Sequence, residues 1–348
     1  TTGHRNTATG LQALRGNTTG SYNTASGYKA LSTYTQASNN TASGYSALRF
    51  NTTGHENTAS GANALKQNTT GYYNTASGYK ALENNTTAYN NTASGTFALR
   101  NNTTGYYNVA TGSYALYSNT TGNKNTAVGK SALQSNTTGE KNTASGYYAL
   151  KINTTGKWNT ATGYYALKSN TTGILNTATG YETLPVNTLG SRNTSTGYWS
   201  LKSNISGDDN TATGGYALRA NTATGYGAMY NNSSGGSNVA IGRDSLFVNT
   251  TGSQTVAVGF GALYTQSTGN TNTAIGYNAL RPTTTGYNNT GVGNYAVASS
   301  ATVANEVTLG NSSVATLRCQ VTSITSLSDV RDKDNIEDLD AGLDFINT

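Results

Sequence analysis

The asparagine that opens Asn74-Thr75-Ala76-Ser77-Gly78 returns every 17 residues from Asn6 to Asn210. Asn221 follows after only 11 residues, and the step of 17 then resumes through Asn238, Thr255, Asn272 and Asn289, giving 18 anchors. Self-similarity at a fixed short period means stacked copies of one small unit, because a lone unit cannot bury a core.

Numbered from the anchor as position zero, position four is Gly in all 18 copies, from Gly10 to Gly293. Position eight is Leu in 16 of them, with Met229 and Val297 as the exceptions. Position seven is Ala except at Thr183, Ser200 and Ser245, and position two is Ala except at Ser195 and Gly291. Positions eleven to fourteen mostly read Asn-Thr-Thr-Gly, as in Asn68 to Gly71, which is turn chemistry. Asn, Thr, Ser and Gly fill the places where a helix needs helix formers. Short strands broken by Gly fit better, and 17 residues leave room for two short strands and two corners. The expected fold is all-β: a parallel β-roll or solenoid of about 18 coils. At the strand spacing of ~4.8 Å it makes a rod roughly 85 Å long, with ladders of Asn, Thr and Leu.

Strand residues alternate between faces. Val239 and Ile241, Val256 and Val258, and Ile275 put branched apolar groups at positions one and three. These positions are expected to face the coil interior with the Leu row. The small Ala at position two then faces something packed very close, the axis of a homotrimer, which nominates Ala25, Ala42, Ala76, Ala93 and Ala144 as trimer contacts. The other reading is that Ala simply fits a thin single-chain solenoid.

Only 34% of residues are hydrophobic and 10% charged. Low hydrophobicity can signal disorder, but disorder goes with high charge and no period. The strict register argues for order, and a slender coil gains stability by association. The net charge of +6 demands no nucleic acid. Cys319 is alone, so there is no intrachain disulfide framework. No apolar run approaches the ~18 residues of a membrane span, and no signal peptide is read. The chain opens at Thr1-Thr2-Gly3, the tail of a repeat, so an N-terminal attachment region is expected to lie upstream.

In chain order, three regions are expected: a repeat shaft over 1–293, a β cap or intertwined neck over 294–327, and a distinct end over 328–348. The 11-residue unit starting at Asn210 lacks the Asn-Thr-Thr-Gly half and predicts a local kink or narrowing. From Asn238-Val239-Ala240-Ile241-Gly242 and Val256-Ala257-Val258-Gly259 the repeats resemble the head domains of trimeric autotransporter adhesins of the Yersinia type. That resemblance implies three parallel β-rolls side by side; the motif is close over 238–293, and the unit here is longer than the family's. The stretch Ser328-Asp329-Val330-Arg331-Asp332-Lys333-Asp334-Asn335-Ile336, followed by Gly342-Leu343-Asp344-Phe345-Ile346, resembles the opening of the self-cleaving intramolecular chaperone domain of phage tail spikes. The resemblance implies Ser328 as nucleophile and Lys333 as its general base, a pairing that suits an activated Ser. The family's domain is far longer than the 21 residues from Ser328 onward, so release activity is not expected of this chain. The plain reading of the same stretch is a polar linker and a helix over 335–346.

Position nine is basic in nine copies, among them Arg49, Lys66, Arg100, Lys151 and Lys168. Such a stripe suits an anionic surface polysaccharide, or simply keeps a polar rod soluble. Tyr gathers at positions five, six, fifteen and sixteen, as in Tyr72, Tyr106, Tyr147 and Tyr164. Flat aromatic faces hold sugar rings, and they also stack from coil to coil. The repeated Asn-x-Thr triplets read as ladders and turns. His4 and His55 are isolated, and neither metal nor cofactor is expected. The expectation is a structural, non-enzymatic shaft of a trimeric phage tail fibre in the virion. It would meet a host polysaccharide or other cell-surface receptor and other tail proteins, with no nucleic acid and no membrane span. The alternatives are a bacterial cell-surface adhesin head and an ice-binding solenoid. Thr ladders favour the last; interrupting Tyr and Lys speak against it.

Overall fold

The computed structural model describes residues 2–33, 36–208, 210–217, 222–231 and 235–316. Each repeat contributes one strand of three residues. Among the described residues 19 such strands, from β1 (Thr7–Thr9) to β19 (Val307–Leu309), pair in parallel as one sheet. Like stacks on like: Thr75 pairs with Thr92, Ala76 with Ala93 and Ser77 with Ser94. The chain is the expected all-β parallel solenoid.

One strand per rung, not two, is what the backbone allows. Residues at positions six, eight and sixteen lie in the left-handed region, as at Lys80 (φ 57°), Leu82 (φ 51°) and Tyr73 (φ 55°). A left-handed residue turns the chain and ends any extended run. These turns still bond from rung to rung, as where Leu82 N–H donates to Ala98 O at 3.0 Å. At the position-four glycine both expected reasons hold together. Gly78 has φ 133°, and a Cβ there would sit 2.6 Å from Gly95 O.

The direction of the strand faces is the reverse of the expectation. Ala25, Ala42, Ala76, Ala93 and Ala144 are buried inside the single chain, in one cluster with the Leu row and the position-seven alanines. Positions one and three face outward through most of the sheet. The coil is so thin that its sheet lies directly on the Leu column. At Gly291, which replaces the position-two alanine, a Cβ would come within 2.6 Å of Leu280 Cγ. At that rung there is not room even for a methyl, and at the others the position-two methyl packs on the chain's own Leu column, so these alanines cannot meet a neighbouring copy. Val239, Ile241, Val256, Val258 and Ile275 likewise do not share the Leu interior.

The rest of the interior is amide. Most anchor asparagines accept the next anchor's N–H and donate to the carbonyl of the next corner; Asn210 instead donates to Asn193 Oδ1 at 2.7 Å. Asn108 Oδ1 takes Asn125 N–H at 2.9 Å, and Asn108 Nδ2 reaches Gly122 O at 2.8 Å. A second ladder runs at position eleven: Asn119 Nδ2 donates to Asn102 Oδ1 at 2.7 Å and to Gly122 O at 3.0 Å. These are the Asn-x-Thr triplets, with their amides buried as structural ladders. Exceptions to the pattern are compensated locally. Thr255 replaces an anchor Asn, and in the same rung Gln266 replaces the position-eleven Asn. The longer Gln266 side chain takes Asn272 Nδ2 at 2.9 Å and donates to Gly269 O at 2.8 Å. Thr183, Ser195 and Ser200, three of the breaks in the Ala rows, meet as a buried hydroxyl chain with steps of 2.7 and 2.9 Å. Buried polar groups that find partners in this way avoid the desolvation cost.

The short unit does not break the strand stack. β13 (Thr211–Thr213) pairs with β14 (Thr222–Thr224) residue for residue, Thr211 on Thr222. At the other end the sheet runs one rung beyond the expected boundary at 293. β19 pairs with β18 (Thr290–Val292), and Glu306 takes the anchor place, its N–H donating to Asn289 Oδ1 at 2.9 Å. The first compact unit is Thr1–Asn311, and the second begins at Ser312. The expected neck beyond 316 and the helix over 335–346 lie outside the described residues.

Candidate functional site

The outer surface divides into columns, each fixed by one position of the repeat. Positions five, six and nine share one array. Tyr147, Tyr164, Tyr181 and Tyr198 stack along it with centroids 5.0–5.3 Å apart, their rings within 14° of parallel. Tyr148 and Tyr165 form a second stack beside them at 5.4 Å. The basic residues of position nine lie over the rings of position six: Lys151 Nζ is 4.3 Å from the Tyr148 centroid, Lys168 Nζ 4.4 Å from Tyr165 and Lys202 Nζ 3.4 Å from Trp199. Of the other nominated cations, Arg49 lies over Phe50 at 4.7 Å. Lys66 is half-buried with the same column. Arg100 is engaged by Glu83 at 2.7 Å, and that hydrogen bond raises its pKa further. The nominated set thus does not form one surface. Tyr72 and Tyr106 belong to a separate stack at position fifteen, His55–Tyr72–Tyr89–Tyr106, with centroids 5.0 Å apart.

The paired phenols have unequal acidity. A hydrogen bond with Tyr165 pushes the Tyr164 phenol up to about 12, with desolvation adding to it. A hydrogen bond with Tyr147 lowers Tyr148, helped by Lys151 and Lys130. Below pH 10 both Tyr164 and its unfolded counterpart keep their protons, so the contribution to stability is complete there. Between 10.0 and about 12 only the folded chain keeps the proton, so that contribution falls away as pH rises through this window. Ultraviolet titration should show an early phenol lost in Tyr148→Phe and a late one lost in Tyr164→Phe. A single titration step at the ordinary tyrosine value would contradict this.

A surface that sequence reasoning oriented the wrong way is the outer face of the sheet. Over β1 to β14 its two columns are Thr and Ser, apart from Val109 and Val128. From β15 (Val239–Ile241) through β16 (Val256–Val258), β17 (Thr273–Ile275), β18 and β19 it becomes largely branched and apolar. Ile241 is 42% exposed, Ile275 44% and Val307 68%. The signal in sequence was the same alternation, read with the opposite sense.

Among the described residues no group of three or more His, Cys, Asp or Glu gathers to hold a metal ion. No helix among them is long and apolar enough to cross a membrane. Ser328 and Lys333 lie outside the described residues. Comparison with protein-family models, curated proteins and solved structures finds no match for this chain.

Proposed function

We propose that this chain is the shaft of a trimeric fibre of the phage tail type, which meets a cell-surface polysaccharide through its aromatic and basic columns. The observation that carries the reading is the in-register row of Val and Ile on the outer sheet face from β15 to β19. A straight apolar column with the period of one rung is best matched by a column with the same period, and another copy of the chain supplies one. The contact therefore runs through positions one and three, not through the alanines. The apolar face spans five rungs, roughly 24 Å by 10 Å, so it covers only part of the ~800 Å² per partner of a standard interface, and the Thr and Ser columns of the same face would supply the rest. The chaperone-like sequence from Ser328 favours a phage fibre over a bacterial adhesin head. The ring columns offer flat faces for sugars and the position-nine cations offer charge to anionic ones.

Sedimentation equilibrium tests the association. The expected mass is three times the 36.1 kDa of the chain. A triple variant, Ile241→Asp with Val258→Asp and Ile275→Asp, should sediment as a monomer while keeping its circular dichroism. A monomeric parent chain would rule the trimer out.

One observation favours a second reading. Tyr and Lys lie on the other faces, so over β1 to β14 the Thr and Ser columns form a flat hydroxyl and methyl array that they do not interrupt, as an ice-binding surface requires. Thermal hysteresis in the parent chain, lost on Thr160→Tyr, would select this reading, and its absence would eliminate it.

A further inference from the structure

The aromatic array is interrupted at several rungs, and one of the interruptions opens a cleft. In the 11-residue unit position five is Gly215, and in the next unit position six is Gly227; every other copy but Gly261 carries a side chain at position six. Neither glycine fills its column, and a cleft of about 490 Å³ opens there, within the range of small-molecule sites. Its walls are Trp199, Tyr216, Tyr226, Tyr230 and Phe247, and the Asp244 carboxylate lies in the wall beside Gly227. A Cβ on Gly227 would come within 2.4 Å of Asp244 Oδ1 and 3.3 Å of the Phe247 ring.

The walls are set at angles to one another. Trp199 and Tyr216 meet edge to face at 5.5 Å and 88°. Tyr216 meets Tyr226 at 5.9 Å and 73°. Tyr230 and Phe247 stack flat at 5.1 Å and 5°. From Tyr147 to Tyr198 the rings stack nearly parallel. Around the cleft Trp199, Tyr216 and Tyr226 meet at steep angles, and Tyr226 is 57% exposed. The polar groups are few. Asp244 Oδ2 is 3.3 Å from Arg243 Nε, and the Trp199 indole N–H is shielded from solvent without an acceptor.

We infer that this cleft is a discrete saccharide-binding subsite, taking one hexopyranose unit of a glycan. Ring faces at several angles bind the C–H surface of a pyranose, and the carboxylate accepts from its hydroxyls. A flat column of stacked Tyr offers no such enclosure. The inference rests on the proposal that the rod meets cell-surface polysaccharide, and it narrows that contact to one rung. It does not depend on oligomeric state.

The two tryptophans of the chain make the test direct, since Trp158→Phe leaves Trp199 as the single reporter. The Trp158→Phe variant of the 348-residue chain is titrated with methyl glucoside, methyl galactoside, N-acetylglucosamine and choline chloride, following Trp199 emission. A hexopyranose should give a saturable change with Kd on the order of 1 mM. Gly227→Asn should weaken it at least about tenfold. Asn already occupies position six with positive φ at Asn63 and Asn278, so this variant keeps the fold, and the Asp244 carboxylate yields by rotation. No saturable response to any sugar overturns the inference. So does a response to choline alone, which would mark an ammonium cage, and so does an unchanged titration in Gly227→Asn. Retention of the rod on immobilised anionic polysaccharide is measured in parallel with Tyr164→Ala. Retention that depends on Tyr164, with a silent cleft, overturns the subsite and leaves the polysaccharide proposal standing. A sugar-responsive cleft without retention overturns the ladder contact alone.

Discussion

Gly129→Ala is expected to open the solenoid around its rung. Gly129 has φ 126°, a conformation in which an L side chain is strained, and a Cβ there would lie 2.5 Å from Gly146 O and 2.7 Å from its carbonyl carbon. The atoms it meets are backbone of the next rung, which is itself stacked on a further rung, so nothing can rotate aside. The backbone strain alone costs roughly 1–3 kcal/mol, and separating the rungs removes ladder bonds worth about 1 kcal/mol each. A total above ~3 kcal/mol lies beyond the ordinary range of single substitutions. Stability in a stacked-repeat chain is a sum of neighbour contacts, so the loss is local. Amide hydrogen exchange should therefore quicken at rungs on both sides of Gly129 and stay unchanged in distant ones such as Ala42. Uniform protection in the variant would refute the close-approach account. The position-fourteen glycines form a useful contrast. Ala88 occupies that place in one rung, where Asn85 Nδ2 reaches its carbonyl at 3.2 Å, against 2.8–3.0 Å at neighbouring rungs. A methyl is absorbed there at the expense of a longer bond, so Gly122→Ala should cost much less than Gly129→Ala.

The second large effect is expected from Asn108→Ala. The side chain is fully buried and serves three partners: Asn125 N–H at 2.9 Å, Gly122 O at 2.8 Å, and Asn125 Nδ2 at 3.2 Å. Truncation leaves the buried Asn125 N–H unpaired at about 1–3 kcal/mol, removes one of the two donors to Gly122 O, and adds a cavity. The expected loss is ~3–5 kcal/mol, read as a lower midpoint in urea and faster exchange at Asn125. Asn108→Leu, similar in volume but apolar, should not restore stability, because the orphaned Asn125 N–H remains. Recovery in that variant would mean that the cavity, and not the hydrogen bonds, had set the loss. The pair Thr255 and Gln266 points the same way: where an anchor amide is missing, a longer amide from the opposite ladder serves the neighbouring Asn272.

These two positions show what kind of information the repeat carries. An invariant Gly and an Asn replaced only at Thr255 could be read as a corner and a ladder without any coordinates, because few residues satisfy those geometric and hydrogen-bonding demands. The alanines were less legible. A small residue marks a tight space, but tightness against the chain's own Leu column and tightness against another copy look the same in one dimension. The apolar residues of the last rungs then misled, since Val239 and Ile241 look like core. The interior was already filled by Ala240 and Leu246, leaving Val239 and Ile241 on the outer face. The surface arrays were partly legible. Tyr147, Tyr164, Lys151 and Lys168 do fall in one array, while Tyr72 and Tyr106 fall in another, and spacing along the chain does not say which columns adjoin. The cleft beside Gly227 was invisible, because it is made by side chains that two neighbouring columns lack.

The sequence by itself determined the period, the parallel register, the strand class and the identity of the two buried ladders. All four follow from repetition, since identical units that stack must place identical groups on each other. Only the tertiary structure decided which side of each three-residue strand is interior. A shift of one residue exchanges the two faces, and the difference rests on the width of the coil, a quantity set by how the left-handed turns at positions six, eight and sixteen close the rung.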